Sequence, residues 1–358
     1  MKKKFKILSI DGGGIRGVLP CQILADAERD LAEREGAPVR LVDYFDMICG
    51  TSIGGLMAIG LSLGMPASEM SQFFEDHGED IFPASRRSWP RKFINLLLGS
   101  SFYDRTLLKK LLRQKYNAYS ADQDARLGDA MTRLIIPAYN AEKGVIYNFR
   151  TAHAEHLVRD YQVPAVDVAL STAAAPIFFR PYSFSYVNKG TDECCVFRNM
   201  IDGGLVANNP AFIGLLEAVT HLQVPLESIS LLSLGTGSLK FTTDIQPEKM
   251  GSKFWTYPLS GDGVRLYNAM MSVQSEAVDE KLKLVQEGLS PAGLSRFDYL
   301  RIQHPFKKED FVELDDARAS AIQRMEAAGH ELYAKHREEI QQVFLQEKKS
   351  PFVPYIRP

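Results

Sequence analysis

The sequence predicts a three-layer α/β fold, with a mostly parallel central sheet and helices on both faces. Three observations predict it. Short apolar runs end in glycine clusters, and the segments after the first two clusters repeat their apolar residues at helical spacing. The unit of strand, glycine turn and helix occurs twice before residue 65, the pattern of parallel strands joined by crossover helices.

The first run, 5–10, reads as a buried strand that stops at Asp11-Gly12-Gly13-Gly14-Ile15-Arg16-Gly17. Over 18–35 apolar residues recur on one helical face with charges opposite, and Gly36-Ala37-Pro38 ends that helix. Residues 44–49 repeat the strand, Gly50-Thr51-Ser52-Ile53-Gly54-Gly55 repeats the turn, and a second helix runs to about Leu63. The pattern then breaks over 77–103 at Pro83, Pro90 and Gly99. Residues 134–139 and 145–149 read as two strands of a hairpin, and 166–175 as a helix stopped by Pro176. Further strands are expected over 195–201, ending in Asp202-Gly203-Gly204, over 229–234, ending in Gly235-Thr236-Gly237, and over 299–302. A long helix is expected after Gly263 and an amphipathic one over 315–344. We expect a single domain over 1–358, with an insertion at 77–103 and a C-terminal helical extension at 313–347.

Composition narrows the partners. Hydrophobic residues make up 45% and charged residues 24%, the balance of a soluble globular chain with a sizeable core. Forty-two basic residues nearly cancel 44 acidic ones, so no global field points to nucleic acid, and any attraction to anions must be local. Cys21 and Cys49 sit in apolar runs and Cys194 and Cys195 are adjacent, which suits a reduced, cytoplasmic protein rather than a disulfide framework or a zinc site. The lysines at 2–4 and 6 lead into an apolar stretch too short for a signal peptide.

Gly50-Thr51-Ser52-Ile53-Gly54 has the spacing of a nucleophile elbow. There a serine sits on a tight strand-to-helix turn, and Gly50 and Gly54 leave room for the neighbouring backbone. A helix N-terminus behind Ser52 would favour a developing negative charge. Gly12, Gly14 and Gly17 satisfy G-x-G-x-x-G between strand and helix, so a dinucleotide site is one reading of the first loop. That reading wants an acidic residue at the end of the next strand, but Glu28, Asp30, Glu33 and Glu35 all fall on the helix. The other reading is an oxyanion hole of bare backbone N–H groups, with Arg16 adding charge or anchoring the loop. Asp202-Gly203-Gly204 alone would be a turn, but three glycine motifs at three strand ends converge on one crevice.

Together these motifs resemble the patatin-like phospholipase family, which pairs a D-G-G-G-x-R-G loop with a G-x-S-x-G elbow and a D-G-G or D-G-A motif. All three stand here in the family's order, and Ala173-Ala174-Ala175-Pro176-Ile177-Phe178-Phe179 is similar to the family's segment between elbow and aspartate. Ile53 departs from the threonine that the family often carries there, without touching the glycines. The resemblance implies a patatin-like fold and a lipid acyl hydrolase with Ser52 as nucleophile, Asp202 as base and Gly13 and Gly14 as oxyanion donors, with Gly12 and Arg16 in the same loop. It implies an acyl-lipid substrate met at a membrane surface, and neither metal nor cofactor. Bacterial members include immune effectors switched on by cyclic nucleotides, so a nucleotide second-messenger activator enters as an expectation, for which the sequence carries no motif.

An aspartate of ordinary pKa, about 3.9, is a weak base toward a hydroxyl, and burial is what could raise it. A histidine is the commoner partner, and His304, after a late strand, is where an ordinary α/β-hydrolase triad would put one. His153 and His156 lie in a polar stretch, and His330 and His336 on a charged helix, so all four read as solvated surface. Within 77–103, Arg86, Arg87, Arg91 and Lys92 alternate with Trp89, Phe93, Ile94 and Leu96. That pattern suits either a lid or membrane contact, or a core-facing helix with a solvated edge.

Overall fold

The computed structural model describes residues 3–83, 103–239, 265–289, 297–307 and 309–358. In chain order the strands and helices are β1 (Phe5–Ile10), α1 (Val18–Glu35), β2 (Met47–Gly50), α2 (Ile53–Ser62), α3 (Ala67–Ile81), α4 (Thr106–Asn117), β3 (Arg133–Asn140), β4 (Val145–Arg150) and α5 (Ala165–Thr172). There follow β5 (Tyr182–Val187), β6 (Cys194–Asp202), α6 (Gly204–Ala207), α7 (Ala211–Thr220), β7 (Ile229–Leu234), β8 (Ser238–Leu239), α8 (Arg265–Leu289), β9 (Asp298–Ile302), β10 (Pro305–Phe306) and α9 (Ala319–Glu339). Most of the insertion expected at 77–103, including its four cations, lies outside the described residues.

The main sheet runs β5-β6-β3-β2-β1-β7-β9, with β4 added to β3. Its centre is parallel: β1 pairs with β2 and β7, β2 with β3, and β7 with β9. One side is antiparallel, through β3–β4, β3–β6 and β5–β6. Successive residues of the parallel strands point to opposite faces. Ile7, Met47, Ile229 and Leu231 meet α7 and α8 on one face. Leu8, Ile10, Ile48, Leu232 and Leu234 meet α1, α2, α3, α5 and α9 on the other. The result is three layers around a sheet buried on both sides, which is why its central strands read as unbroken apolar runs.

One register detail places the site. Ile135 of β3 pairs with Cys49 on one side and Arg150 of β4 on the other, while Ala138 pairs with Tyr147 of β4 and with Asp202. Hence β2 and β6 lie along the same edge of β3, β2 on its first half and β6, running the opposite way, on its second. Their carboxyl ends meet head to head, which brings Ser52 to Asp202 across 150 residues of chain.

Some boundaries differ from the sequence expectation. Residues 41–43 form a 3-10 turn and the second strand begins only at Met47. Tyr44 and Phe45 are buried off the sheet, Phe45 against Phe344. The helix expected over 166–175 ends at Thr172, which frees Ala173 and Ala175 to line a pocket. The C-terminal helix starts at Ala319, and Ile322, Met325, Leu332 and Phe344 join the same core as α1 and α2.

Candidate active site

Ser52 caps the N-terminus of α2 with φ 54° and ψ −122°, a left-handed conformation unusual for a residue with a Cβ. The elbow is that tight because the chain turns between touching elements. A Cβ on Gly54 would stand 2.3 Å from the carbonyl oxygen of Ile10 in β1, and one on Gly50 would stand 2.1 Å from that of Gly54. Both positions exclude any side chain, since backbone cannot move aside.

The Ser52 hydroxyl donates to Asp202 Oδ2 at 2.7 Å, and the Gly204 N–H donates to Asp202 Oδ1 at 2.6 Å. Asp202 is wholly buried at the end of β6. Burial pushes its carboxyl up to about 7, against the lowering pull of the Gly204 N–H and the Ser52 hydroxyl.

Thr172 fills the gap where β2 and β6 abut. Its hydroxyl donates to the Pro137 carbonyl at 2.6 Å and accepts the Ser52 N–H at 3.0 Å. The carbonyls of Thr172 and Ala174 accept the N–H groups of Gly203 and Asp202. The stretch after α5 thus ties elbow and aspartate to β3. Sequence reasoning missed Thr172, whose partners lie 35 and 120 residues away.

The first glycine loop lies against this pair. Its Asp11 carboxylate is held by Arg301 through two contacts of 2.8 and 2.6 Å. The Gly12 N–H is committed to the Asn208 backbone carbonyl at 3.0 Å, which leaves Gly13 and Gly14 as the loop's candidate oxyanion donors. Gly13 and Gly14 N–H groups take no hydrogen-bond partner among the described residues, and both glycines line the pocket with Ser52. Gly14 needs its missing side chain, since φ is 56° and a Cβ would fall 2.1 Å from the Leu314 carbonyl oxygen. Arg16 is buried, its Nε 3.4 Å from the Gly13 carbonyl oxygen and its guanidinium over the Phe311 ring. Of the two roles considered for it, this placement fits the anchor. Ser52, Asn208, Thr236 and Leu314 stand against the Cβ positions of its glycines, while Gly13 and Gly14 border the pocket.

Above Ser52 opens a pocket lined almost entirely by apolar side chains, among them Leu56, Phe74, Leu108, Phe178, Phe179 and Met271. No histidine lines it among the described residues. His304 instead packs edge-on against Phe306 beside β10. His153 is a correction of another kind: it is buried, between Thr151 Oγ1 at 2.9 Å and Glu217 Oε1 at 3.0 Å, where a solvated surface was expected. Among the described residues no group of three or more His, Cys, Asp or Glu side chains is disposed to hold a metal ion, and no helix is long and apolar enough to cross a membrane.

A serine beneath so apolar a pocket narrows the class to lipid ester hydrolases, because an acyl chain is the substrate part that gains by leaving water there. Comparison with known proteins agrees. A sequence model described as patatin-like phospholipase matches residues 8–215. The chain is 32% identical over 339 residues to a cGAMP-activated phospholipase of Escherichia coli, covering 92% of this chain and 89% of that one. It is 30% identical to a cGAMP-activated phospholipase of Vibrio cholerae, over 93% and 91% of the two chains. With patatin-like protein 4 of Arabidopsis thaliana it shares 29% identity, over 91% and 82%. The chain belongs to the patatin-like phospholipases.

Proposed function

We propose that the protein hydrolyses fatty acyl esters of phospholipids at a membrane surface through a Ser52–Asp202 dyad. The observation that carries this reading is the 2.7 Å bond from the Ser52 hydroxyl to a buried carboxylate. Asp202 takes the Ser52 proton as the oxygen attacks the acyl carbonyl, and the Gly13 and Gly14 N–H groups receive the negative charge. Collapse expels the alcohol or lysolipid, which leaves with the proton from Asp202. Water then attacks the acyl-enzyme and gives a proton to Asp202, and the fatty acid departs as Ser52 recovers its hydrogen.

The names of the Escherichia coli and Vibrio cholerae relatives support a further part of the reading: a cyclic dinucleotide switches the enzyme on. The test is hydrolysis of phospholipid by wild-type, Ser52→Ala and Asp202→Asn proteins, each with and without cGAMP and a panel of other nucleotides. Turnover that depends on both residues and rises with one nucleotide is expected. Near-normal turnover by folded Ser52→Ala would overturn the mechanism, and a chain inert under every condition would point to a ligand-binding protein.

A further inference from the structure

Two helices wall the pocket over Ser52, and both present unusual outer surfaces. From α8, Tyr267 and Met271 face the pocket. Roughly a third of a turn round the same helix, Leu266, Met270 and Val273 form a stripe at i, i+4 and i+7. They are 43%, 42% and 62% exposed and lie together on one side of the helix, an apolar strip open to solvent. No charged residue interrupts the helix between Arg265 and Glu276. From α4, Leu108 faces the pocket, while Leu107, Lys110 and Arg113 are exposed. That helix carries Lys109, Lys110, Arg113 and Lys115 and no acidic residue. Lys109 and Lys115 are paired with Asp167 and Glu69, but Lys110 and Arg113 make no ion pair among the described residues. Exposed Arg180 follows Phe178 and Phe179, which line the pocket between the two helices.

We propose that this rim is the surface by which the enzyme docks on an anionic lipid bilayer, the α8 stripe entering the acyl region while Lys110, Arg113 and Arg180 meet headgroup phosphates. The proposal rests on the phospholipase reading above and adds where the bilayer sits. Charge complementarity selects the occupant. The whole chain has a formal charge of −2, yet Lys110, Arg113 and Arg180 are exposed and make no ion pair among the described residues, which suits an anionic surface. Continuity with the pocket gives it purpose, because an acyl ester can then pass from bilayer to Ser52 without crossing water.

Sedimentation with vesicles tests it, in the Ser52→Ala background so that the lipid stays intact, with and without cGAMP. Vesicles of phosphatidylglycerol and phosphatidylethanolamine are compared with pure phosphatidylcholine. Wild-type surface residues should favour the anionic vesicles, and Leu266→Ser/Met270→Ser/Val273→Ser should lower partitioning by about ten-fold or more. Lys110→Glu/Arg113→Glu/Arg180→Glu should lose roughly five-fold or more per site and lose the salt dependence as well. With Ser52 present, turnover of a water-soluble short-chain ester should hold in both triple variants. Unchanged partitioning in either set overturns the proposal, as does loss of soluble-ester turnover in step with binding, which would mean the stripe serves the fold. A wild-type dimer in solution that the stripe variant turns into monomer, with vesicle binding intact, would also overturn it, assigning the stripe to a second copy of the chain. Docking that follows the prediction in a protein with no esterase activity would leave the surface standing and sink the phospholipase mechanism instead.

Discussion

Ser52 holds a backbone conformation that costs a non-glycine residue about 1–3 kcal/mol, and the fold bears that cost where the hydroxyl must project. Ser52→Ala keeps the strain, whereas Ser52→Gly removes it, at some expense in unfolded-chain entropy. Both variants should be inactive, and the glycine variant should be the more stable by about 1 kcal/mol, read as a higher midpoint in urea; equal midpoints would show that the elbow stores no strain. Asp202 carries a similar conflict. Its folded pKa of about 7 lies above the ordinary 3.8, so the folded state holds the proton more tightly. The stability this contributes is full below about pH 4 and is lost as pH rises through 7, on the order of 4 kcal/mol in all. Activity needs the opposite form and should fall as pH drops below about 7. Asn at 202 cannot titrate and can still accept from Gly204, so Asp202→Asn should be inactive yet outlast wild type in a melt at pH 8, with the gap closing toward pH 5. A gap that does not move with pH would show that Asp202 is not the titrating group. In the sequence Ser52 could be picked out by the glycine spacing of its elbow, and Asp202, Gly13 and Gly14 through the family resemblance of their motifs. Thr172 and Asn208 could not, since their partners are set by segments meeting from far along the chain. His153 was misread for the same reason: its polar neighbours hide Glu217, 64 residues on.

At the scale of elements, the decisive feature is two strands ending head to head on one edge of β3, with a single threonine closing the gap. Thr172→Val keeps the shape but takes a partner from the buried Ser52 N–H and the Pro137 carbonyl. Each loss costs about 1–3 kcal/mol, so the variant should be destabilised by about 2–6 kcal/mol and turn over more slowly as the elbow loosens. Thr172→Ser retains both bonds and should restore most of each. Chemical denaturation and single-turnover kinetics on the pair check this, and a valine variant as active and stable as wild type would show that the bridge is incidental. The central strands were legible because burial on both faces leaves them nearly uninterrupted in apolar residues. Edge strand β5 was passed over although its Tyr-Ser-Phe-Ser-Tyr-Val alternates buried and exposed positions, the period-two pattern of a half-buried strand. Residues 44–46 were drawn into β2 because Tyr44 and Phe45 are as apolar as the strand, yet they serve the packing beneath it.

Across the whole molecule, the chain's last quarter holds its first loop in place. The Leu314 carbonyl accepts the Ile15 N–H at 2.9 Å and stands where a side chain on Gly14 would be, while the Leu314 side chain lines the pocket. A few residues on, α9 packs along α1, with Tyr333 donating to Asp30 at 2.6 Å and His330 meeting Asp26 at 2.6 Å. The sequence marks 313–347 as a helical extension because an amphipathic helix after the last strand looks the same whether it caps a core or completes one. Only the facing residues tell the two apart. Gly329 is the closest of these: a Cβ there would stand 2.7 Å from Gln22 Cβ and 2.9 Å from the Leu19 carbonyl oxygen of α1. Gly329→Val should therefore push α9 off α1 and cost about 1–3 kcal/mol of stability. Because Leu314 precedes α9 by only a short turn, the same change should lower turnover by loosening the Gly13–Gly14 loop, although Gly329 touches no part of the pocket. Thermal melting and turnover measured well below the melting point check the two effects separately. If α9 is an appendage, the variant will melt like wild type and hydrolyse like it. If it completes the core but does not hold the loop, stability will fall while turnover at low temperature stays intact. Loss of both is the outcome expected of a C-terminal helix that braces the site through Leu314.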